Sequence, residues 1–443
     1  MSRGDRRLST SRSRSRARPW PASRARRTLA GLACAGLAAA GLAACGTANA
    51  SNGPVTLTYY LSPDSSGATQ QAVDNCSKQS GGKYTISWQQ LPNAADGQRT
   101  QLVRRLAAND STIDLMGLDV TWEAEFAEAG WIEPWTGANR TAAENGTLKA
   151  ALDTAMWKGQ LYAVPSNTNT QLLWYRSDLV PNPPKTWAEM IQDAENLAKQ
   201  GKPHYIEIQG AQYEGGTVWF NTMNASAGGT VLNPDATKVT LGEPALKALT
   251  IMKQLADSPA ADPSLPVQME NENRLAMEAG TAAFQLNYPF VYPAMKADNP
   301  AMFKNFKWAL YPSVIPGQPA KVTIGGHDIA VSSLSTHKAL AFQAALCLRD
   351  RQNQIIGANV GGVPPTLEAL YNDPALAKNY PFHQDILTSL QNASVRPKTP
   401  VYQVVSIDIS HLISPASKIS PQSTLNSMKS QINQGLQSKG LVP

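Results

Sequence analysis

The chain has 443 residues, of which 42% are hydrophobic, 16% charged and 7% aromatic, enough for two globular domains or one large one with a real core. That apolar share excludes a disordered chain, and its 31 Gly and 31 Pro follow no collagen-like period. The formal charge of +6 does not mark a nucleic-acid binder, because residues 1–44 hold ten Arg, no Lys and one acid, Asp5, a net of +9 that leaves −3 for the rest.

In chain order, an Arg-rich segment from Arg3 to Arg27 precedes a weakly apolar run, Thr28 to Ala44. The run is short for a membrane span, and the order of basic, apolar and small residues predicts a signal peptide over 1–44. It ends Leu42-Ala43-Ala44-Cys45-Gly46, which resembles a bacterial lipobox and makes Cys45 the expected lipidation site. The small polar stretch 45–53 suits a tether between a lipid anchor and a folded body. The expected location is therefore the outer face of the cell membrane.

The body opens with a strand, Val55 to Tyr60, then a helix carrying Cys76, a strand at Tyr84–Trp88, and a helix from Gln98 to Ala108 with Leu102, Val103 and Leu106 on one face. Ile113–Leu118 is a third strand ending at Asp119, followed by helical Trp122–Ala129. Apolar runs at 160–165 and 171–175 read as strands. Thr186 with Glu189 three residues on predicts a capped helix. Ala245–Ala256 is helical, and Met277–Phe284 passes from a helix end through Gly280 into a strand. A strand near Ile329, a helix over 338–349 and an amphipathic helix over 425–436 complete the chain. This alternation predicts α/β architecture with mainly parallel sheets.

With Cys34 in the leader and Cys45 lipidated, only Cys76 and Cys347 remain. In an exported protein this pair predicts one disulfide, the alternative being two separate buried thiols. Two distant Cys and five scattered His supply no metal site, and no cofactor is expected. No G-x-G-x-x-G, G-x-x-x-x-G-K-[ST] or G-x-S-x-G motif supports a dinucleotide enzyme, an NTPase or a serine hydrolase. A glycosidase, which needs only two facing carboxylates, stays open.

Several residues suit a polyhydroxyl ligand. Asp119 ends a strand, where open α/β sheets bind ligands; it either accepts hydroxyls or caps the next helix. Asn167 and Asn169 lie in the polar run 166–170, which is either a donor–acceptor array or a plain loop. Glu214 sits among glycines and aromatics in residues 210–220 and is hard to explain as core. Tyr288 follows an apolar strand, and Gly326-His327 begins another. Arg396, beside Pro397, presents a forked guanidinium on a stiff loop, or lies on the surface.

Together these segments resemble the solute-binding proteins of bacterial ABC importers for sugars, in the maltose/trehalose-type cluster, over about residues 54–443. The matching pieces include Leu118–Trp122 with Glu125–Trp131, Leu173–Leu179, Gly280–Phe284, Gly325-Gly326 before Ile329–Ser332, and Gly362–Pro365. Gln212–Gly215 and Arg396–Gln403 are most similar to the actinobacterial LpqY-type trehalose-binding lipoproteins. The resemblance implies a type II periplasmic-binding-protein-like fold with a ligand cleft between two lobes, 54–167 with 323–390 and 168–322 with 391–443. It implies a non-enzymatic receptor for an α-linked disaccharide, trehalose first, maltose or another glycoside otherwise. Its partners would be permease subunits with a separate ATPase. Asp119 and Asn169 would bind hydroxyls from one side, Glu214, Tyr288 and Arg396 from the other, and Gly326 would offer backbone. His327 and Tyr288 stand where similar proteins often carry a stacking Trp. An open cleft would leave Glu214 and Arg396 solvated.

Overall fold

The structure, a computed structural model, describes residues 53–437; the expected signal peptide, the Cys45 lipidation site and most of the tether lie outside the described residues. Nine strands build two main sheets among the described residues: β1 Val55–Leu61, β2 Tyr84–Gln90, β3 Leu115–Asp119, β4 Ala163–Asn169, β5 Leu172–Arg176, β6 Tyr205–Glu207, β7 Ala282–Asn287, β8 Phe306–Ala309 and β9 Gly325–Val331. The first sheet runs β2-β1-β3-β9-β4 and the second β8-β5-β7-β6. A two-residue ribbon, Met156–Trp157 with Gln160–Leu161, stands apart from both.

The expected strands are present, but the sheets are mixed rather than mainly parallel. β1 pairs with β2 and β3 in parallel, whereas β9 runs antiparallel to both β3 and β4. In the second sheet only β6 and β7 are parallel; β5 is antiparallel to β7 and β8. The cause is the crossing of the chain between lobes. β4 leaves the first sheet and β5 enters the second two residues later, while β9 returns and inserts between β3 and β4. Such returning strands break the repeating strand–helix–strand order that makes sheets parallel.

The second sheet shows how sequence sets burial. In β5 (LLWYR), Leu172 and Trp174 point into one core cluster and Leu173 and Tyr175 into another. Successive side chains face opposite ways, so a run apolar on both faces marks a strand covered on both sides. On one face Trp174 stacks near Phe306 at 5.3 Å between ring centroids and meets Phe382 edge-on at 5.1 Å. Tyr371, Tyr380, Phe382 and Ile386 belong to this same cluster. The stretch 368–390 thus packs on the second sheet through these side chains, while Glu368 N–H donates to the Gly146 carbonyl at 3.0 Å and Asp373 pairs with Arg351.

Ten helices matter to the site and its support. They are α1 Ala68–Gln79, α2 Ala95–Ala107, α3 Glu123–Glu128, α4 Trp187–Lys199, α5 Glu214–Ser226, α6 Glu270–Ala279, α7 Lys338–Leu348, α8 Arg351–Gly361, α9 Tyr402–Ile413 and α10 Pro421–Gln437. α4 carries the expected capping box, with Glu189 N–H donating to Thr186 Oγ1 at 3.1 Å and Thr186 N–H to Glu189 Oε2 at 3.2 Å. Its Trp187, Met190, Ala194 and Leu197 are buried at helical spacing. Cys76 on α1 and Cys347 on α7 form the expected disulfide, with 5.8 Å between their Cα atoms, within the normal reach of such a bond.

Candidate functional site

The site begins as a row across three strands. Asp119 at the end of β3 lies opposite His327 on β9, and His327 lies opposite Asn167 on β4. Neighbouring strands are about 4.8 Å apart, so an acid, an imidazole and an amide stand side by side. The run 166–169 is therefore strand, not the plain loop that its polar composition allowed. Asn167 Oδ1 accepts from His327 N–H at 3.1 Å, and Ser166 Oγ donates to the His327 carbonyl at 2.8 Å. The ladder shifts register between His327 and Asp328, a bulge of the kind that re-aims side chains. Burial holds His327 below its ordinary pKa, with Asp119 pulling the other way.

Gly326 explains the bulge more directly than it explains a ligand. Its φ is +132°, and a Cβ there would stand 2.3 Å from the Asn167 carbonyl oxygen. Only glycine fits so close an approach of β9 to β4. At Gly215, on α5, a Cβ would meet the Tyr213 hydroxyl at 2.2 Å, the far end of a side chain and not backbone.

From the second lobe come Glu214, the first residue of α5, and Arg396, on the loop before α9. Trp219 and Phe220 of α5 are core residues, so the helix is fixed and Glu214 with it. Arg396 Nη1 donates to Glu214 Oε1, and Nη2 to Asp119 Oδ1 at 3.1 Å. The Tyr402 hydroxyl donates to Glu214 Oε1 at 2.5 Å and Ser406 Oγ to Oε2. Arg396 is 4% exposed and Glu214 7%; the expectation that both would be solvated is not met, because each charge is turned onto the other. Burial raises the pKa of Glu214, Arg396 lowers it and Asp119 raises it again. Burial opposes the charge of Arg396, yet Asp119, Tyr402 and Glu214 hold its pKa well above the usual value. One cation thus serves two carboxylates.

The Asp119 alternatives resolve into both. Its Oδ1 accepts from Thr121 N–H at 3.1 Å and Thr121 Oγ1 at 2.9 Å, tying the turn into α3, while also accepting from Arg396.

Beside this cluster opens a cleft of about 660 Å³, within the usual range for small-molecule sites. Asn167, Asn169 and His327 line it; Asp119, Glu214, Tyr288, Gly326 and Arg396 do not. The structure therefore puts three of the eight expected ligand residues on an open wall and three, Asp119, Glu214 and Arg396, in an ion-paired cluster, with Gly326 and Tyr288 in neither. Burial raises the pKa of the Tyr288 hydroxyl, the charge of Glu270 adds to the rise and that of Arg396 opposes it. Sequence reading missed Asp64, Ser66 and Asn93 of the first lobe, and Glu270, Asn271 and Phe290 of the second, all of which line the cleft. Asp64 and Ser66 lie in the turn Ser62–Gly67, and a polar loop at the carboxyl end of the first strand is itself a site signal. Tyr402 and Ser406 were missed because their role depends on a partner 188 and 192 residues away.

Amides such as Asn93, Asn167, Asn169 and Asn271 line the cleft among apolar neighbours, and the buried Asn169 Oδ1 has no partner. In the cluster, the buried Arg396 Nε is likewise unpartnered. A molecule offering hydroxyls that both donate and accept matches these groups. A profile described as "Bacterial extracellular solute-binding protein" matches residues 62–354. The chain belongs to that family. A Deinococcus radiodurans relative named "Probable ABC transporter-binding protein" is 27% identical over 362 residues, 78% of this chain and 84% of that one. A maltose-bound structure of Thermotoga maritima MalE3 superposes with a TM-score of 0.79 at 26% identity, covering 86% of this chain and 99% of that one. An ABC transporter solute-binding protein of Thermotoga lettingae bound to α-D-tagatose has the same fold, with a TM-score of 0.76, 23% identity and coverage of 86% and 100%. The two-lobed, type II fold of this extracellular family is thus the fold of this chain.

Proposed function

We propose that this protein is the substrate-binding lipoprotein of an ABC sugar importer, receiving an α-linked disaccharide, trehalose first, in the cleft between its lobes. The carrying observation is the Arg396–Glu214–Asp119 cluster, which draws on both lobes and adjoins an amide-lined cleft. The sugar lies against Asn167, Asn169 and His327, which line the cleft, and the cluster, through Asp119 opposite His327, holds that wall in place from behind, with Tyr288 and Gly326 outside the cleft lining. Both carboxylates share one guanidinium, an arrangement that orients hydroxyls through charge-assisted bonds. A glycosidase instead needs one carboxyl protonated and free to move a proton, so the receptor reading is preferred. The sugar is handed to permease subunits served by a separate ATPase, and Cys45 carries the lipid that holds the protein at the membrane once residues 1–44 are removed. Maltose or a malto-oligosaccharide is the second reading, favoured by the maltose in the Thermotoga maritima relative.

The test incubates purified protein with trehalose and with maltose while following both melting temperature and free glucose. A ligand that binds only the native state stabilises it by about 2.7 kcal/mol at a hundred times its Kd. Stabilisation without glucose release supports a receptor, and the larger shift names the sugar. Catalytic glucose release would end the receptor reading.

A further inference from the structure

The segment Arg396–Gln403 makes three hydrogen bonds to residues of the first lobe, besides those of Arg396 and Tyr402 to Glu214. Arg396 Nη2 donates to Asp119 Oδ1 at 3.1 Å, Lys398 Nζ to the Asp153 carbonyl at 2.8 Å, and Gln403 Nε2 to Asp96 Oδ1 at 3.0 Å. Asp119 and Asp96 are first-lobe groups. One ends β3; the other lies in the first turn of α2, whose Leu102 and Leu106 sit in the first-lobe core. The segment itself is tied to the second lobe, because it runs into α9, and Val405, Ile409 and Ile413 of that helix lie in a second-lobe core. Just upstream, Ser394 is pinned by bonds between its carbonyl and Ile324 N–H and between its N–H and the Val322 carbonyl, each 2.9 Å. Pro397 and Pro400 stiffen the intervening loop by fixing φ.

We infer that Arg396–Gln403 is an interlobe clasp in which Gln403 is a positioning residue. Its bond to Asp96 holds the second lobe against the first and keeps the Arg396 guanidinium over Asp119. The inference rests on the reading of the cleft as the sugar site. Gln403 does not line the cleft, so it acts through the closed state and not through the ligand. Of the two outer contacts, that of Gln403 is the stronger: the side chain is 6% exposed and its acceptor is charged, whereas Lys398 is exposed. The bond to Asp96 holds only while the lobes are together. A ligand that binds closed lobes has an apparent Kd inversely proportional to the closed fraction. Losing one such bond shifts the closed-to-open ratio about three- to tenfold.

The experiment compares the intact protein with Gln403→Ala, Asp96→Ala and Asp96→Asn. Small-angle scattering without sugar measures lobe separation. Gln403→Ala and Asp96→Ala are expected to increase the radius of gyration, while Asp96→Asn, which keeps the acceptor oxygen, stays near wild type. Stopped-flow release of trehalose or maltose should be about three- to tenfold faster in both alanine variants, and no faster in the double variant, since both remove one contact. An unchanged radius in both alanine variants overturns the clasp, as do additive effects on release. If no sugar binds even the wild type, the binding reading fails while scattering still decides the clasp.

Discussion

Arg396 concentrates the chemistry of the site, and its burial sets two separate expectations. Removing it leaves Asp119 and Glu214 facing each other without a cation. Breaking a buried pair in this way costs about 3–5 kcal/mol, so Arg396→Ala should unfold at clearly lower denaturant even without ligand. It should also weaken sugar binding roughly ten- to a hundredfold, from about 1–3 kcal/mol per buried group left unpaired. Arg396→Lys restores a charge but not the planar fork that meets both carboxylates; it should recover part of the stability and little of the affinity. Denaturant unfolding and titration calorimetry read the two effects separately, and a variant as stable as wild type would mean that the cluster is hydrated in solution. A second residue test concerns Gly326. At φ +132° with the Asn167 carbonyl 2.3 Å from any Cβ, Gly326→Ala should destabilise by about 1–3 kcal/mol, with broadened amide signals along β4 and β9. Wild-type stability would show that the two strands part easily.

At the level of elements, β9 and α3 meet through a buried acid pair. Glu123 is 2% exposed and Asp328 0%, and Thr154 Oγ1 donates to Asp328 Oδ2 at 3.1 Å. Burial, and then the charge of Asp328, pushes the Glu123 carboxyl well up; burial likewise lifts Asp328 to about 7. The folded protein therefore holds protons that the unfolded chain releases, and stability is lost as pH rises from about 4 through about 7. Glu123→Gln offers an amide that can donate to Asp328 and removes a titrating carboxyl, so the difference in melting temperature between variant and wild type should shrink or reverse across that window. Comparing the two proteins cancels His327, whose lowered pKa acts with the opposite sign. A constant difference from pH 4 to 8 would refute the protonated pair. Neither Glu123 nor Asp328 stood out in the sequence, because an acid inside a helical or strand pattern reads as surface until a facing acid is known. The elements themselves were legible wherever periodicity was strong, as in α4 with its capping box or the doubly apolar β5. Strand direction was not, since it depends on where the chain crosses between lobes. The same limit applies to the site: Asp119, Glu214 and Arg396 were identifiable by residue type, but their mutual pairing and the supporting Tyr402 and Ser406 are purely spatial facts.

For the molecule as a whole, three hydrophobic cores are distinct among the described residues, and one of them joins Leu148, Ala151 and Ala358 of the first lobe to Leu172, Trp174 and Phe306 of the second. One cluster fills the first lobe around β1, β3 and β9, and two others flank the second sheet. The Cys76–Cys347 bond lies entirely in the first lobe, joining α1 to α7 across a sequence separation of 271. By the loop-entropy account, closing so long a loop adds about 4–5 kcal/mol, an upper figure because engineered bonds often deliver less. That stabilisation belongs to one lobe. Replacing both cysteines in Cys76→Ala/Cys347→Ala should therefore lower the melting of the first lobe while leaving the second near its original temperature. The calorimetric transition is expected to broaden or split, a departure from two-state behaviour common when units lose matched stability. Hydrogen exchange then assigns the earlier step, with amides of β1 and β3 released before those of β5 and β7. Saturating sugar should draw the two steps back together, because a ligand touching both lobes is lost when either one unfolds, and its binding energy stabilises the pair as one unit. A single transition displaced as a whole, with exchange rising equally in both sheets, would show instead that the crossover strands already couple the lobes and that the disulfide supports the molecule rather than the lobe.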